Sequence, residues 1–344
     1  MHIALDAMGG DHGPQGLIAG ALLAVDQTSD LIIHLVGDET LLKKHLDSVS
    51  AGDGSLARLK VVHAPTVVGM DENPVDAIRK KKDSSIMRAF DLVKTGVASA
   101  AVSAGNSGAT LAAGVRKLGR LKNVVRPGLA SIFPTMKGPV VIMDVGANVE
   151  CRPVHLYQFA VMASAFSRLY KVERPRVGLL TIGEEASKGN NLVKETYALL
   201  KQSHLNFIGN VEGRDVFQGD VDVIICDGFV GNICLKISEG LAEAAMKMLK
   251  DEIVKSNRAK LGYLLARPAF ENFKKRVDYA EYGGAPLLGI KGTGIICHGK
   301  SSPHAIKNAI LEALEMEKLG INEVISRDLE SGISKMSEVV RWER

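Results

Sequence analysis

Short, largely apolar runs recur along the chain, most of them stopping at glycine, asparagine or aspartate just before a helical pattern. They read as strands at Ile3–Ala7, Leu31–Val36, Leu59–His63, Ala98–Ser103, Val140–Asp144, Val177–Ile182, Val221–Cys226 and Thr293–Cys297. Helical patterns fall between them at Gly16–Val25, Pro74–Val93, Ala109–Gly119, Val154–Leu169, Asn191–Lys201, Asn232–Lys250 and Pro303–Lys318, with a further stretch at the C-terminus. A strand apolar on both faces must be covered on both faces, and intervening helices supply the cover. The pattern therefore predicts an α/β fold: a three-layer α/β/α sandwich around a mostly parallel sheet. With no repeat and no low-complexity linker, residues 1–344 read as a single α/β/α domain. Two α/β lobes around a cleft would leave the same pattern.

The strand ends carry the chemistry. Ala98 to Ala109 reads Ala-Ser-Ala-Ala-Val-Ser-Ala-Gly-Asn-Ser-Gly-Ala, a strand breaking into small polar residues at a helix start. Open backbone N–H groups and the positive end of the helix dipole make such a junction an anion site. Similar turns occur at Asp144-Val-Gly-Ala-Asn148, Lys188-Gly-Asn190 and Asp227-Gly-Phe-Val-Gly-Asn232. Ligands of open α/β sheets bind beyond the strand carboxyl ends, so these turns point to one phosphate-handling site. Helix capping alone also accounts for an asparagine such as Asn106 or Asn232. Lys188 can neutralise phosphate or an oxyanion, or be an exposed loop lysine. Asp144 and Asp227 each end a buried strand, where an acid is costly unless paired. His298, ending the last strand, suits an acid, a base or a phosphate donor, or a structural histidine. After the first strand, Asp6-Ala-Met-Gly-Gly-Asp-His-Gly-Pro14 offers Asp11 or His12 to a ligand, or a glycine turn with Asp11 as a cap.

Other chemistries find little support. A net charge of +4 and 5% aromatic residues argue against nucleic-acid binding. The four cysteines, Cys151, Cys226, Cys234 and Cys297, form no Cys-x-x-Cys pair, so no metal set is suggested. Gly294-Ile-Ile-Cys-His-Gly-Lys-Ser301 matches a P-loop letter for letter, yet Ile295 to Cys297 read as strand rather than phosphate loop. No Gly-x-Gly-x-x-Gly follows a strand. The start, Met1-His-Ile-Ala-Leu-Asp, shows no signal-peptide pattern, so a cytoplasmic location is expected.

One segment breaks the even charge distribution. Lys247 to Arg276 holds nine Lys/Arg against three Asp/Glu, with Leu261, Tyr263, Leu264, Leu265, Phe270 and Phe273 interleaved. It reads as a basic amphipathic helical extension near 247–279. Either it is a surface helix pair with a solvated basic face, or it docks an acidic protein or an anionic membrane.

Taken together, these stretches resemble the bacterial phosphate acyltransferase family of phospholipid synthesis, the PlsX type. The resemblance rests on Asp6-Ala-Met-Gly-Gly-Asp11, Arg79-Lys-Lys-Lys-Asp-Ser-Ser85, Ser103-Ala-Gly-Asn-Ser-Gly108 and Asp144-Val-Gly-Ala-Asn148. It continues through Arg176-Val-Gly-Leu-Leu180, Lys188-Gly-Asn190, Ile208-Gly-Asn-Val-Glu212, Asp227-Gly-Phe-Val-Gly-Asn232, Tyr282-Gly-Gly-Ala285 and His298-Gly299. It implies a fold similar to the isocitrate/isopropylmalate dehydrogenase and phosphotransacetylase group, a homodimer, and no organic cofactor. The implied reaction joins inorganic phosphate to the acyl group of acyl-ACP, releasing acyl carrier protein and acyl-phosphate for a membrane glycerol-3-phosphate acyltransferase. Peripheral membrane association follows from that destination.

At matched positions, Lys188, Asn232, Asp227 and His298 become the catalytic candidates. The first two would orient phosphate and stabilise the oxyanion; Asp227 or His298 would manage the proton. Ser103, Gly105, Asn106, Ser107, Gly108, Asp144, Asn148, Gly228 and Gly231 are the substrate-binding candidates. Lys255, Arg258, Lys260, Leu264, Leu265, Arg267, Lys274 and Lys275 would form the partner surface for acidic acyl carrier protein. An acyl-CoA-using phosphotransacetylase-like enzyme and a non-catalytic membrane scaffold are the competing readings.

Overall fold

The computed structural model describes residues 1–11, 13–277 and 282–336. The first half of the chain alternates β1 (His2–Asp6), α1 (Pro14–Gln27), β2 (Ile32–Gly37), α2 (Glu39–Asp47), α3 (Asp53–Leu56) and β3 (Leu59–His63). It continues with α4 (Pro74–Lys80), α5 (Ser85–Lys94), β4 (Ala100–Ser103), α6 (Ser107–Leu118), β5 (Gly128–Pro134) and β6 (Pro139–Met143). Next come α7 (Pro153–Phe166), β7 (Val177–Leu180), α8 (Asn191–Lys201), β8 (Phe207–Val211) and β9 (Val223–Ile225). The rest is α9 (Gly228–Val254), α10 (Asn257–Val277), β10 (Ala285–Leu288), β11 (Thr293–Ile296), α11 (Pro303–Lys318) and α12 (Ile321–Met336).

The strands form an eleven-stranded sheet in the order β3-β2-β1-β4-β11-β10-β5-β6-β9-β7-β8. Pairing is parallel from β3 through β11 and again from β6 through β8. Between these blocks the three pairings β11–β10, β10–β5 and β5–β6 are antiparallel. An odd number of reversals leaves the two parallel blocks running in opposite directions, joined at a seam made by β10 and β5.

Alternation along each strand divides the core between the two sheet faces. Ile3, Leu5, Ile33 and Leu35 pack with α1, α7, α11 and α12. Ala4, Val36, Ile142 and Ile224 pack on the other side, with α4, α5 and α6. Helix α7 is buried from His155 to Phe166, which explains why its sequence is apolar on every side. The expected mostly parallel sandwich is present.

Several boundaries differ from the sequence reading. The run expected as one helix over Pro74–Val93 is two, α4 and α5, parted at the polar stretch Lys81-Lys-Asp-Ser84. Strands β5, β8 and β10 were not read: each contains or adjoins glycine, or is only a few residues long. Helix α9 begins at Gly228 rather than Asn232, because Asp227 is its cap and accepts from Val230 N at 2.9 Å. The P-loop-like stretch is strand β11 over Thr293–Ile296, as its residues suggested. The basic segment forms the end of α9 and all of α10, which folds back onto α9 with Pro268 inside it.

Candidate active site

Asp6 and Ser103 end neighbouring parallel strands and face each other in register. The buried Ser103 hydroxyl donates to Asp6 Oδ2 at 2.8 Å and accepts from Gly105 N at 3.1 Å. Burial pushes the Asp6 carboxyl up, against hydrogen bonds from Ser85, Ser103, Met8 and Gly9 that pull it down. Gly9 lies where any side chain would strike the Gly105 backbone, so the two turns are held together. At the start of α6, Asn106 Oδ1 accepts from Ala109 N at 3.0 Å. Its amide donates to the carbonyls of Met70 at 2.9 Å and Glu72 at 3.1 Å. That side chain is spent on shaping the turn, leaving Ser107 to face the cavity described below. Gly108 packs closely on Pro74.

Across the seam, Asp144 has no exposed surface. It gathers Leu129 N at 3.0 Å, Ala147 N at 3.1 Å, Asn148 N at 2.7 Å and Asn148 Nδ2 at 2.9 Å. Burial raises its carboxyl while these four N–H donors oppose the rise. Asn148 Nδ2 also donates to Pro127 O at 2.8 Å, so its amide donors are engaged. The first turn of α9 rests directly on this loop. A Cβ at Gly231 would run into the Asp144 carbonyl oxygen, and one at Gly228 would lie 2.7 Å from Asn148 O. Both glycines permit that approach.

The α9 start separates two cavities. One, of about 300 Å³, lies over the seam and takes Ser107 and His298 from one block and Gly146, Asn232 and Lys236 from the other. The other, of about 460 Å³, is lined by Thr181, Gly189, Asn190, Asp227, Val230 and Cys234. The structure thus brings Ser107, Asn232 and His298 together and puts Asp227 and the Lys188–Asn190 turn beside the neighbouring cavity. Asn232 projects over Gly146, which has no side chain to fill the space. Asn232 is exposed, and its amide makes no hydrogen bond to another described residue. Lys188 is exposed and folds across Gly183. His298 is exposed, its Nδ1 accepting from Lys300 N at 3.1 Å. Asp11 is tied to the same turn by Asp11 N to Gly299 O at 2.8 Å, while His12 lies outside the described residues.

Sequence reasoning missed Lys236, Glu239, Tyr282, Gly284 and Ser301 as lining residues. Lys236 and Glu239 follow Asn232 at helical spacing, the one signal that could have found them. The cysteine thiols Cys226 and Cys297 are pushed up by burial, which removes them as nucleophiles. Among the described residues no group of three or more His, Cys, Asp or Glu is placed to hold a metal ion.

Of the residues expected to form a partner surface, Lys255, Arg258, Lys260, Leu264, Leu265 and Arg267 are exposed. Lys255 pairs with Glu252 at 2.5 Å and Arg267 with Glu271 at 2.8 Å. The side chains of Lys274 and Lys275 lie outside the described residues. No helix among the described residues is long and apolar enough to cross a membrane.

Comparison with solved structures shows the fold. The phosphotransacetylase from Streptococcus pyogenes superposes with a TM-score of 0.62 at 15% identity, over 92% of this chain and 94% of that one. The EutD phosphotransacetylase from Staphylococcus aureus gives 0.59 at 17%, over 94% of each. A 4-hydroxythreonine-4-phosphate dehydrogenase from Klebsiella pneumoniae gives 0.54 at 15%, over 92% of this chain and 99% of that one. The family described as fatty acid synthesis protein matches residues 1–324. The phosphate acyltransferase of Geotalea uraniireducens is 54% identical over 331 residues, 96% of this chain and 94% of the relative. That of Geobacter sulfurreducens is 53% identical over 332 residues, 96% and 95% of the two chains. Matched by that family over residues 1–324 and by relatives over nearly its whole length, the chain belongs to the phosphate acyltransferase family.

Proposed function

We propose that the seam cavity is where inorganic phosphate attacks the thioester of a fatty acyl group carried by acyl carrier protein. A phosphate oxygen forms the new C–O bond, the C–S bond breaks, and the proton shed by phosphate ends on the departing thiol. The products are acyl-phosphate and free carrier protein, an early step of phospholipid synthesis. Phosphate is itself the nucleophile, so the protein's task is to align the reactants and stabilise the tetrahedral oxyanion. The observation that carries this reading is the uncommitted Asn232 amide, held over Gly146 in the same cavity as Ser107 and His298.

Asn232 donates to the oxyanion, Ser107 and the α6 N-terminus hold phosphate, and His298 stands where the proton moves. Asp6, Ser103, Gly105, Asn106, Gly108, Asp144, Asn148, Gly228 and Gly231 position these groups. Lys188 and Asp227, across the first turn of α9, serve substrate approach from the neighbouring cavity. The whole chain works as one catalytic unit. Exposed Lys255, Arg258, Lys260 and Arg267 offer an acidic carrier protein a complementary surface. Leu264 and Leu265, 62% and 78% exposed, suit contact with a membrane surface at the cytoplasmic side. There the acyl-phosphate would pass to a membrane glycerol-3-phosphate acyltransferase. The apolar stripe Val230, Ile233, Ile237 and Leu241 on α9 suits a second copy of the chain in a homodimer.

Purified protein is incubated with inorganic phosphate and hexadecanoyl-ACP or hexadecanoyl-CoA, and acyl-phosphate is measured. Product from the carrier-protein donor is expected. Product from the CoA donor alone, or from neither, overturns the reading.

A further inference from the structure

We infer that the acyl chain lies in an apolar groove that opens from the seam cavity and follows α9, an inference that rests on the acyl-transfer reading above. The groove has a volume of about 470 Å³, within the ordinary range for ligand sites. Ile132, Leu235 and Glu239 line both it and the seam cavity, so the two adjoin along these residues. Beyond that mouth the walls are Phe133 and Met136 near the end of β5, Phe217, and Phe273 of α10.

Helix α9 forms the long side. Leu235, Ser238, Ala242 and Ala245 recur at intervals of three and four residues and therefore share one face. Three of the four are small, which leaves a trough rather than a ridge. From Leu235 to Ala245 the helix rises about 15 Å, enough for most of a long-chain acyl group to lie extended. Glu239, at the mouth and paired with Lys236 at 2.7 Å, is the only charged residue lining the groove among the described residues. Apart from Thr135, whose hydroxyl donates to Gly138 O, the far end is therefore apolar, and the charged group stands at the mouth. Only a ligand with a polar reacting end and a long apolar tail matches that gradient. The α9 stripe suited to a second copy, Val230, Ile233 and Ile237, lies on a different face, and Leu241 stands at the rim between the two.

The test compares Ala242→Phe and Ala245→Phe with the wild-type chain, using hexadecanoyl- and butanoyl-ACP. Each phenylalanine should lower kcat/KM for the hexadecanoyl donor by roughly tenfold or more while leaving the butanoyl donor near its wild-type value. Ala245→Phe, farther from the mouth, should tolerate longer chains than Ala242→Phe. Equal loss for both donors in a folded variant, or an unchanged chain-length profile, overturns the inference. So does equal loss accompanied by a changed sedimentation coefficient, which would assign the groove to a second copy. Calorimetric binding of free hexadecanoate tests the groove without turnover: wild type should bind and Ala242→Phe should not. Wild-type protein that binds hexadecanoate yet forms no acyl-phosphate would sink the reaction and keep the groove. Failure of wild type to bind it would sink the groove.

Discussion

Asn148 and Asn232 carry the same amide in different circumstances. Asn148 is locked between Asp144 and Pro127, whereas Asn232 stands over a glycine with its donors uncommitted. Replacing Asn232 by alanine should lower kcat by about 10²–10³, the usual cost of losing an oxyanion donor, with an unchanged circular dichroism spectrum. A near-full rate would remove Asn232 from the chemistry. Glu312 predicts a stability effect instead. It is buried on α11, accepts weakly from Gly284 N at 3.4 Å, and faces Tyr170 and Cys297. Burial pushes its carboxyl well above the ordinary value of 4.5. A carboxyl raised on folding binds its proton more tightly in the native state. Its contribution is therefore complete below that ordinary value and is lost as pH rises through the native one. Urea midpoints should fall with rising pH in the wild type, and Glu312→Gln should flatten that slope.

Among the elements, α9 carries the most functions. Its first turn rests on the Asp144 loop, its next divides the two cavities, and its outer face exposes Ile237 and Leu241 at 63% and 66%. Leu241→Asp should convert the proposed dimer to monomer in sedimentation velocity; an unchanged coefficient would place the interface elsewhere. The N-terminus of this helix shows how far the sequence is legible. Asp227, Gly228, Gly231 and Asn232 stood out as a motif, yet which residue caps the helix depends on Gly231 fitting beneath the Asp144 carbonyl, a contact between distant segments. Strands β1, β2, β3, β4 and β11 were readable because their runs are mostly apolar, with only single breaks at His34, Lys60 and Gly294. Strands β5 and β10 were not, because Gly128, Ser131 and Pro286 give no strand signal until the neighbouring strands pair with them.

For the whole molecule, charge is uneven rather than large. Basic residues concentrate on the α9–α10 extension, away from the seam, so ionic strength should act on partner binding more than on chemistry. Raising salt from low to physiological levels should increase KM for acyl-ACP with little change in kcat, because exposed charges are screened over about 8–10 Å. A fall in kcat at constant KM would argue that the surface has no part in carrier recognition. The sequence showed that the sheet was mostly parallel but not that its direction reverses, since apolar runs carry no sign of orientation. Nor could it show that the Lys188 turn sits apart from the Ser107, Asn232 and His298 group, which follows from that reversal and from the course of α9.

The seam has a consequence for synthesis. Its cavity needs Ser107 from the first third of the chain, Gly146 and Asn232 from the middle, and His298 and Ser301 from near the end. Strands β10 and β11, which tie the blocks together, are also the last strands made. A nascent chain holds β1 to β4 long before β11 is made to pair with β4, and it holds no complete cavity until translation has passed Ser301. With the seam cavity as the proposed site, unfinished chains would be unable to release a reactive acyl-phosphate.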